Sequence, residues 1–293
     1  MSPTSSAGAR RAPVAYKRNL LIGRLAKAPW WLLVAALLIL GFIASVYQDQ
    51  TYREVWAQVQ QGIWTTLWVS AVAYLIAVML GLGIALLRRS PNFFVQQAAT
   101  LYVEVVRGVP TLVLVYYIVL ALTPEMVRWV NLLGEWVLAN GLSTGLGEAL
   151  TGLRTRDIPN EWRAIAGLAI SYSAFLSEIF RAGLDSIPDG QREAGMSVGM
   201  TRAQILRFII LPQAFRNVLP PLANDFIAML KESSLVSIVG VQDITRSGAT
   251  YASANFVFFQ SYNVVALTYL TITLTLAVVV KMFELYLDRG KAR

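Results

Sequence analysis

Residues 189–212 read DGQREAGMSVGMTRAQILRFIILP. This stretch predicts a helix, a turn and a second helix. The first helix starts after Pro188, and Gly199 stands where a left-handed residue closes a helix with least strain. Thr201 and Gln204 then form a T-x-x-Q capping box that opens the second helix. That helix presents Ile205, Phe208, Ile209 and Leu211, and Pro212 is expected to stop it. The expected tip is made of small residues, Ala194, Gly195, Ser197 and Gly199, which let a partner backbone come close. A mere connector does not need two capped helices, so the segment reads as a stiff elbow.

What flanks the elbow sets the fold class. Of 293 residues, 56% are hydrophobic and 14% charged, against about 25% charged in soluble domains. The mean hydropathy is +0.55. The apolar residues come in long uncharged blocks, so the chain reads as an all-α polytopic membrane protein. Stretches long enough to cross a hydrocarbon core are Trp30 to Val46, about Gly62 to Leu87, about Ala164 to Ser186, a weaker Val218 to Gly240 with charges inside, and Tyr262 to Leu287. Phe93 to Leu122 is too long for one straight span. Counting about 20 residues back from Leu122 starts that crossing near Val103 and lays residues 91–102 along the interface. Within it, Arg107-Gly108-Val109-Pro110 predicts a helix break, because Pro110 lacks an N–H and restricts Val109.

Orientation follows from Lys and Arg in the flanks, which cytoplasmic loops retain. With six spans and the amino terminus inside, segments 1–29, 88–92, 188–217 and 288–293 hold 15 basic residues. The outside segments 47–61, 123–163 and 241–258 hold 6, and the remaining four lie within apolar stretches. Both termini are therefore expected in the cytoplasm. The net charge of +8 reflects this placement, not a nucleic-acid surface. Nor is the elbow a DNA-reading motif, because two membrane spans pin it at short range.

Residues 1–29 are rich in Ser, Ala, Pro and basic residues, and are expected to be a disordered cytoplasmic tail. Residues 30–46 form an additional first span, and residues 60–288 the main transmembrane domain. Residues 123–163 read as an insert on the outer side. Thr123-Pro124-Glu125 resembles a helix start, and Met126, Trp129, Val130, Leu133, Trp136 and Val137 recur at helical spacing. An amphipathic helix on the outer interface and a lid packed on the spans both fit this pattern.

Several chemistries are excluded. Cysteine and histidine are absent, so no catalytic residue of either type and no thiolate or imidazole metal ligand exists. No G-x-x-x-x-G-K-[ST] loop is present, so no nucleotide site of that kind belongs to this chain.

The elbow carries a resemblance. Glu193, Ala194, Gly195, three residues, Gly199, nine residues, then Ile209-Ile210-Leu211-Pro212 is similar to the signature E-A-A-x3-G-x9-I-x-L-P of ABC-transporter permease subunits of the type I importer kind. The one departure is Gly195 for the second alanine. Residues 62–90, 102–117, 177–191 and 219–240 resemble segments of the polar amino acid uptake branch, and the likeness covers roughly residues 60–288. The resemblance implies a five-helix permease core in a bacterial cytoplasmic membrane that dimerises with a like or related subunit around a central path. It implies a cytoplasmic ATPase dimer gripping Glu193, Ala194, Gly195, Gly199 and Met200, with ATP used by those partners and no cofactor on this chain. It further implies a periplasmic binding protein that delivers an amino acid. Importers of another small polar solute and a secondary transporter working alone are the alternatives, and the latter has no use for the elbow. A membrane-embedded enzyme would need an acid/base or nucleophile set that the spans lack.

Charges inside the membrane are costly and face polar partners or water. Glu104 with Arg107 and Glu178 with Arg181 each sit three residues apart, as pairs on one helix face. They read either as a polar lining near the inner mouth or as pairs that lock helices. Lys231 and Glu232 fall mid-way along the fifth stretch with Asn224 and Asp225 one to two turns earlier, and this segment is expected to line the path.

Overall fold

In a computed structural model of the protein, the backbone is described for residues 30–289 and side-chain surroundings for residues 34–285. The basic tail expected over residues 1–29 lies outside the described residues. Among the described residues the chain is all helix and turn. Helix α1 (Trp30–Gln48) leads through Asp49 into α2 (Gln50–Leu87). The Asp49 carboxylate accepts from the N–H groups of Thr51 at 2.7 Å and Tyr52 at 3.4 Å, which fixes where α2 starts. Helix α3 (Phe93–Gly108) ends at the predicted break, where Val109 is extended, and α4 (Thr111–Ala139) follows Pro110. Then come α5 (Thr144–Thr151), α6 (Asn160–Asp185), α7 (Asp189–Ser197), α8 (Arg202–Ile205) and α9 (Leu211–Glu232). A 3-10 segment (Ser233–Val239), α10 (Ile244–Asn255) and α11 (Phe258–Arg289) complete the chain.

Four helices, α2, α4, α6 and α11, are long and apolar enough to cross a membrane by length and composition. The described apolar part of α1 is shorter, Val34–Gln48. Helix α9 carries Arg216, Asp225, Lys231 and Glu232 and so lacks an uninterrupted apolar run. With 38 residues, α2 extends about 57 Å. Residues 50–61, expected as loop, are its first three turns, because Val55 and Val59 are buried against α10 and α11 and hold the polar segment helical.

The core is a close helix pair. Val69, Ala73, Ala77, Gly81 and Ala85 recur every four residues on α2, and all are buried. This stripe of mostly small residues brings α6 near enough for Leu168, Ala169, Tyr172 and Leu176 to fill the seam. Val115 and Val119 of α4, Met229 of α9 and Val236 cover it. A second cluster joins Phe42 of α1 to Val55, Val59, Ile244, Val264 and Val265, with the Phe42 and Trp56 rings edge to face at 5.7 Å.

Two prolines expected at helix ends do not lie there. Thr123-Pro124-Glu125 is not a helix start, since α4 runs through it without a break. Pro212 does not stop the elbow's second helix, since the chain continues into α9. In both places a π-helical turn precedes the proline by two residues, Tyr117–Leu122 before Pro124 and Leu206–Ile210 before Pro212. The wider turn shifts the hydrogen-bond register, so the missing proline N–H is accommodated. The Thr123 hydroxyl also donates to the Ile118 carbonyl at 2.6 Å. The third crossing helix accordingly begins at Thr111 instead of Val103.

Candidate functional site: the elbow between two membrane helices

The turn at Gly199 is built by backbone geometry. Gly199 has φ of +81°, its N–H donates to the Met196 carbonyl at 3.0 Å, and the Met200 N–H donates to Gly195 at 3.1 Å. That pair of bonds is a Schellman closure, which satisfies carbonyls at the end of α7. Thr201 then caps α8. Its hydroxyl accepts from the Gln204 N–H at 3.3 Å, and the Gln204 side chain accepts from the Thr201 N–H at 2.8 Å. Both features expected from the sequence are present in the elbow.

The elbow has its own small core of Ile187, Ile205, Ile210 and Ala214, with Leu184, Met200 and Ile209 against it. Gly195 is buried there and does not sit at the exposed tip. A Cβ on it would lie 2.8 Å from Ile205 Cγ1 and 3.2 Å from Ile209 Cδ1, so the glycine is what lets the second helix close onto α7. Met200 is half-buried in the same cluster. Glu193, Ala194, Ser197 and Gly199 are exposed. So are Met196 at 54% and Val198 at 76%, which leave apolar surface uncovered. A groove of about 440 Å³ runs between Arg192, Met196, Arg202, Ile205, Leu206 and Ile210. One side-chain bond closes the base of the elbow, where Asn217 of α9 donates to the Ser186 hydroxyl at the end of α6 at 2.9 Å.

Next to the elbow along α6 lies an ion network that joins three helices. Arg88, at the end of α2, meets Glu178 at 2.6 Å, Arg181 meets it at 2.7 Å and Arg107 at 3.6 Å. Asp185 is shared by Arg89 and by Arg181, the latter at 3.3 Å. The expected Glu178 and Arg181 pair forms. The expected Glu104 and Arg107 pair does not, among the described residues. Arg107 instead reaches across to α6, where its guanidinium lies 5.6 Å from the Phe175 ring centre. Glu178 is the better acceptor because it is the carboxylate already held among α2, α3 and α6. Arg88, Arg89 and Asp185 escaped sequence reasoning as partners, although Arg88-Arg89 stand at the end of the second apolar stretch.

Lys231 and Glu232 are exposed at the last turn of α9. They do not lie mid-way along one helix, because α9 gives way to the 3-10 segment at Ser233, which ends at Gly240 with φ of +90°. Their neighbours Met229 and Val236 belong to the main core, so these charges lie at the level of the bundle's interior. Asn224 donates to Glu284 of α11 at 3.3 Å. Asp225 is next to it, with Oδ2 buried and unpartnered. Tyr74 donates to the Leu222 carbonyl at 2.5 Å and packs edge-on against Phe226 at 5.2 Å. Tyr74 thus joins the polar patch expected at Asn224, Asp225, Lys231 and Glu232. Among the described residues no His, Cys, Asp and Glu cluster suits a metal ion.

Residues 77–293 match the family described as binding-protein-dependent transport system inner membrane component. A probable amino-acid permease protein of Bacillus subtilis is 38% identical over 227 residues, covering 76% of this chain and 88% of the relative. The glutamine transport system permease protein of Escherichia coli is 31% identical over 224 residues, covering 76% and 90%. The crystal structure of an amino acid ABC transporter with histidines matches with a TM-score of 0.64 at 33% identity, over 83% of this chain and 97% of that one.

Proposed function

The chain belongs to the family of inner-membrane components of binding-protein-dependent transport systems, and on that premise we propose that it is the translocating subunit of an ATP-driven importer of a polar amino acid. The observation that carries this reading is the elbow. A Schellman closure, a capping box and a private apolar core make it rigid, and its free face presents Glu193, Ala194, Met196 and Val198. Rigid elements with discrete seatings transmit force, whereas a slack loop does not. The similarity to permease proteins named for amino acids supports the substrate class.

In this reading both termini and the elbow face the cytoplasm, and an ATPase dimer docks on Glu193, Ala194, Met196 and Val198. Gly195 and Met200 shape that surface from within, and Gly199 does so by closing the turn. ATP is bound and spent by the ATPase subunits, and this chain supplies no catalytic group. A second permease subunit completes the path, and a periplasmic binding protein delivers the solute. The path runs past Tyr74, Asn224, Asp225, Lys231 and Glu232, where exposed charge at core depth requires water or a polar partner. Glu178, Arg181 and Arg107 hold α2, α3 and α6 together beside it, and Glu104 stays free of that network.

The test is reconstitution in vesicles with the ATPase, the second subunit and the binding protein supplied. A labelled amino-acid panel is then offered with and without ATP. ATP-dependent uptake of one or a few polar amino acids is expected. Uptake that persists without the ATPase would overturn the proposal in favour of a transporter that works alone.

A further inference from the structure

A second cavity, about 510 Å³, lies where α2, α3 and the α6–α7 junction meet. Arg88, Arg89, Gln96, Asp185, Asp189 and Arg192 supply its polar lining. Three features set its chemistry. Arg88 and Arg89 are held by Glu178 and Asp185, but Arg107 and Arg181 share those two acids, so with Arg192 and Asp189 the cluster holds five arginines to three acids. Arg192 makes no ion pair among the described residues, so its five donors remain available. The cavity also sits at the membrane edge. It begins where the apolar run of α2 ends, at Leu86 and Leu87, both half exposed. Phe93, one helical turn from Gln96 on α3, is 63% exposed and Phe94 is 80% exposed, with their rings edge to face at 5.8 Å. Exposed aromatic rings beside arginines, at the end of a crossing helix, mark headgroup depth.

We propose that this cavity binds the phosphate of an anionic phospholipid in the leaflet facing the elbow. Guanidinium groups bind phosphate through paired N–H donors, and Arg is the side chain suited to that geometry. Basic pockets between membrane helices are favoured sites for anionic headgroups. The acyl chains would lie along the apolar end of α2 beside Phe93 and Phe94. Because Arg192 belongs to α7 while Arg88 and Arg89 belong to α2, the bound phosphate ties the elbow to the membrane helices. Arg192 also lines the elbow's own groove, so this lipid contacts the surface that the proposed ATPase partner would use.

The test uses the purified full chain in neutral detergent without an ATPase, so its outcome is separate from that of the coupling proposal. Retention of phosphatidylglycerol is compared with that of phosphatidylcholine by native mass spectrometry, with inorganic phosphate as competitor. Preferential retention of phosphatidylglycerol is expected. Each basic residue near an anionic surface is worth about fivefold in affinity, so Arg192→Gln is expected to lower retention about fivefold. Arg192→Gln breaks no ion pair, and so does not threaten the fold. Asp189→Asn removes an opposing charge and is expected to raise retention. Equal retention of both lipids, or no change in either variant, would overturn the proposal. Displacement of the lipid by inorganic phosphate would also overturn it and assign the cavity to a soluble phosphate.

Discussion

Gly199 offers a perturbation whose size follows from the backbone alone. Its φ of +81° lies in the left-handed region, and nothing stands within 4 Å of a Cβ built on it. Substitution there is therefore governed by conformational strain, with no steric contact inside this chain. Asn tolerates the left-handed region and should cost a few tenths of a kcal/mol. Ala should cost about 1 kcal/mol and the β-branched Val about 2 kcal/mol. At about 1.4 kcal/mol per tenfold change, the open turn becomes more populated by under twofold, about fivefold and about thirtyfold. The Gly199 and Met200 amides are held by the Schellman bonds, so hydrogen exchange of this peptide reads that population directly. Uptake per ATP hydrolysed in the assembled complex should fall in the same order, Asn least and Val most. Asn is larger than Ala, so an order that followed side-chain volume would refute strain as the cause and point to a close contact with the partner. Unchanged exchange in Gly199→Val would refute the left-handed closure itself.

Glu178→Gln removes the carboxylate on which Arg88, Arg107 and Arg181 converge, and leaves three cations close together. Losing a charge-assisted hydrogen bond at a partly buried carboxylate costs about 2 kcal/mol. The Glu178 side chain is 20% exposed and that of Asp185 is 49% exposed, so Asp185→Asn should lower the thermal midpoint of the detergent-purified chain far less. Equal shifts would argue against Glu178 as the keystone. Pro212→Ala should leave the helical content measured by circular dichroism unchanged, because the chain is already helical on both sides of Pro212. A gain of a turn or more of helix would restore Pro212 as a terminator.

The elbow was legible in the sequence because its determinants are local. A left-handed glycine and a capping box act within a few residues, and residue type at fixed spacing encodes them. The break at Val109 and Pro110 was legible for the same reason. The two misread prolines show where locality ends. Pro124 and Pro212 are tolerated because π-helical turns precede them, and nothing in Tyr117–Leu122 or Leu206–Ile210 advertises a wider turn. The Glu104 and Arg107 pair failed because spacing on one helix cannot weigh a competitor on another. Glu178 was that competitor, brought near by the packing of Val103 and Val106 of α3 against Ala174 of α6. Burial of Gly195 was hidden likewise, since its neighbour Ile205 lies across the turn. The patch at Tyr74, Asn224, Asp225, Lys231 and Glu232 was mostly visible, because its polar residues stand out in apolar sequence while Tyr74 blends into the background.

The account rests on the elbow facing the cytoplasm and bearing the ATPase, and the chain's composition makes that directly measurable. It contains no cysteine, so Val198→Cys places a single thiol on a side chain that is 76% exposed at the turn. Labelling with a membrane-impermeant maleimide is compared between inside-out and right-side-out vesicles, with and without the ATPase subunits. The expected result is modification only in inside-out vesicles, and protection once the ATPase is bound. Labelling in sealed right-side-out vesicles would place the elbow on the outer face and contradict the account.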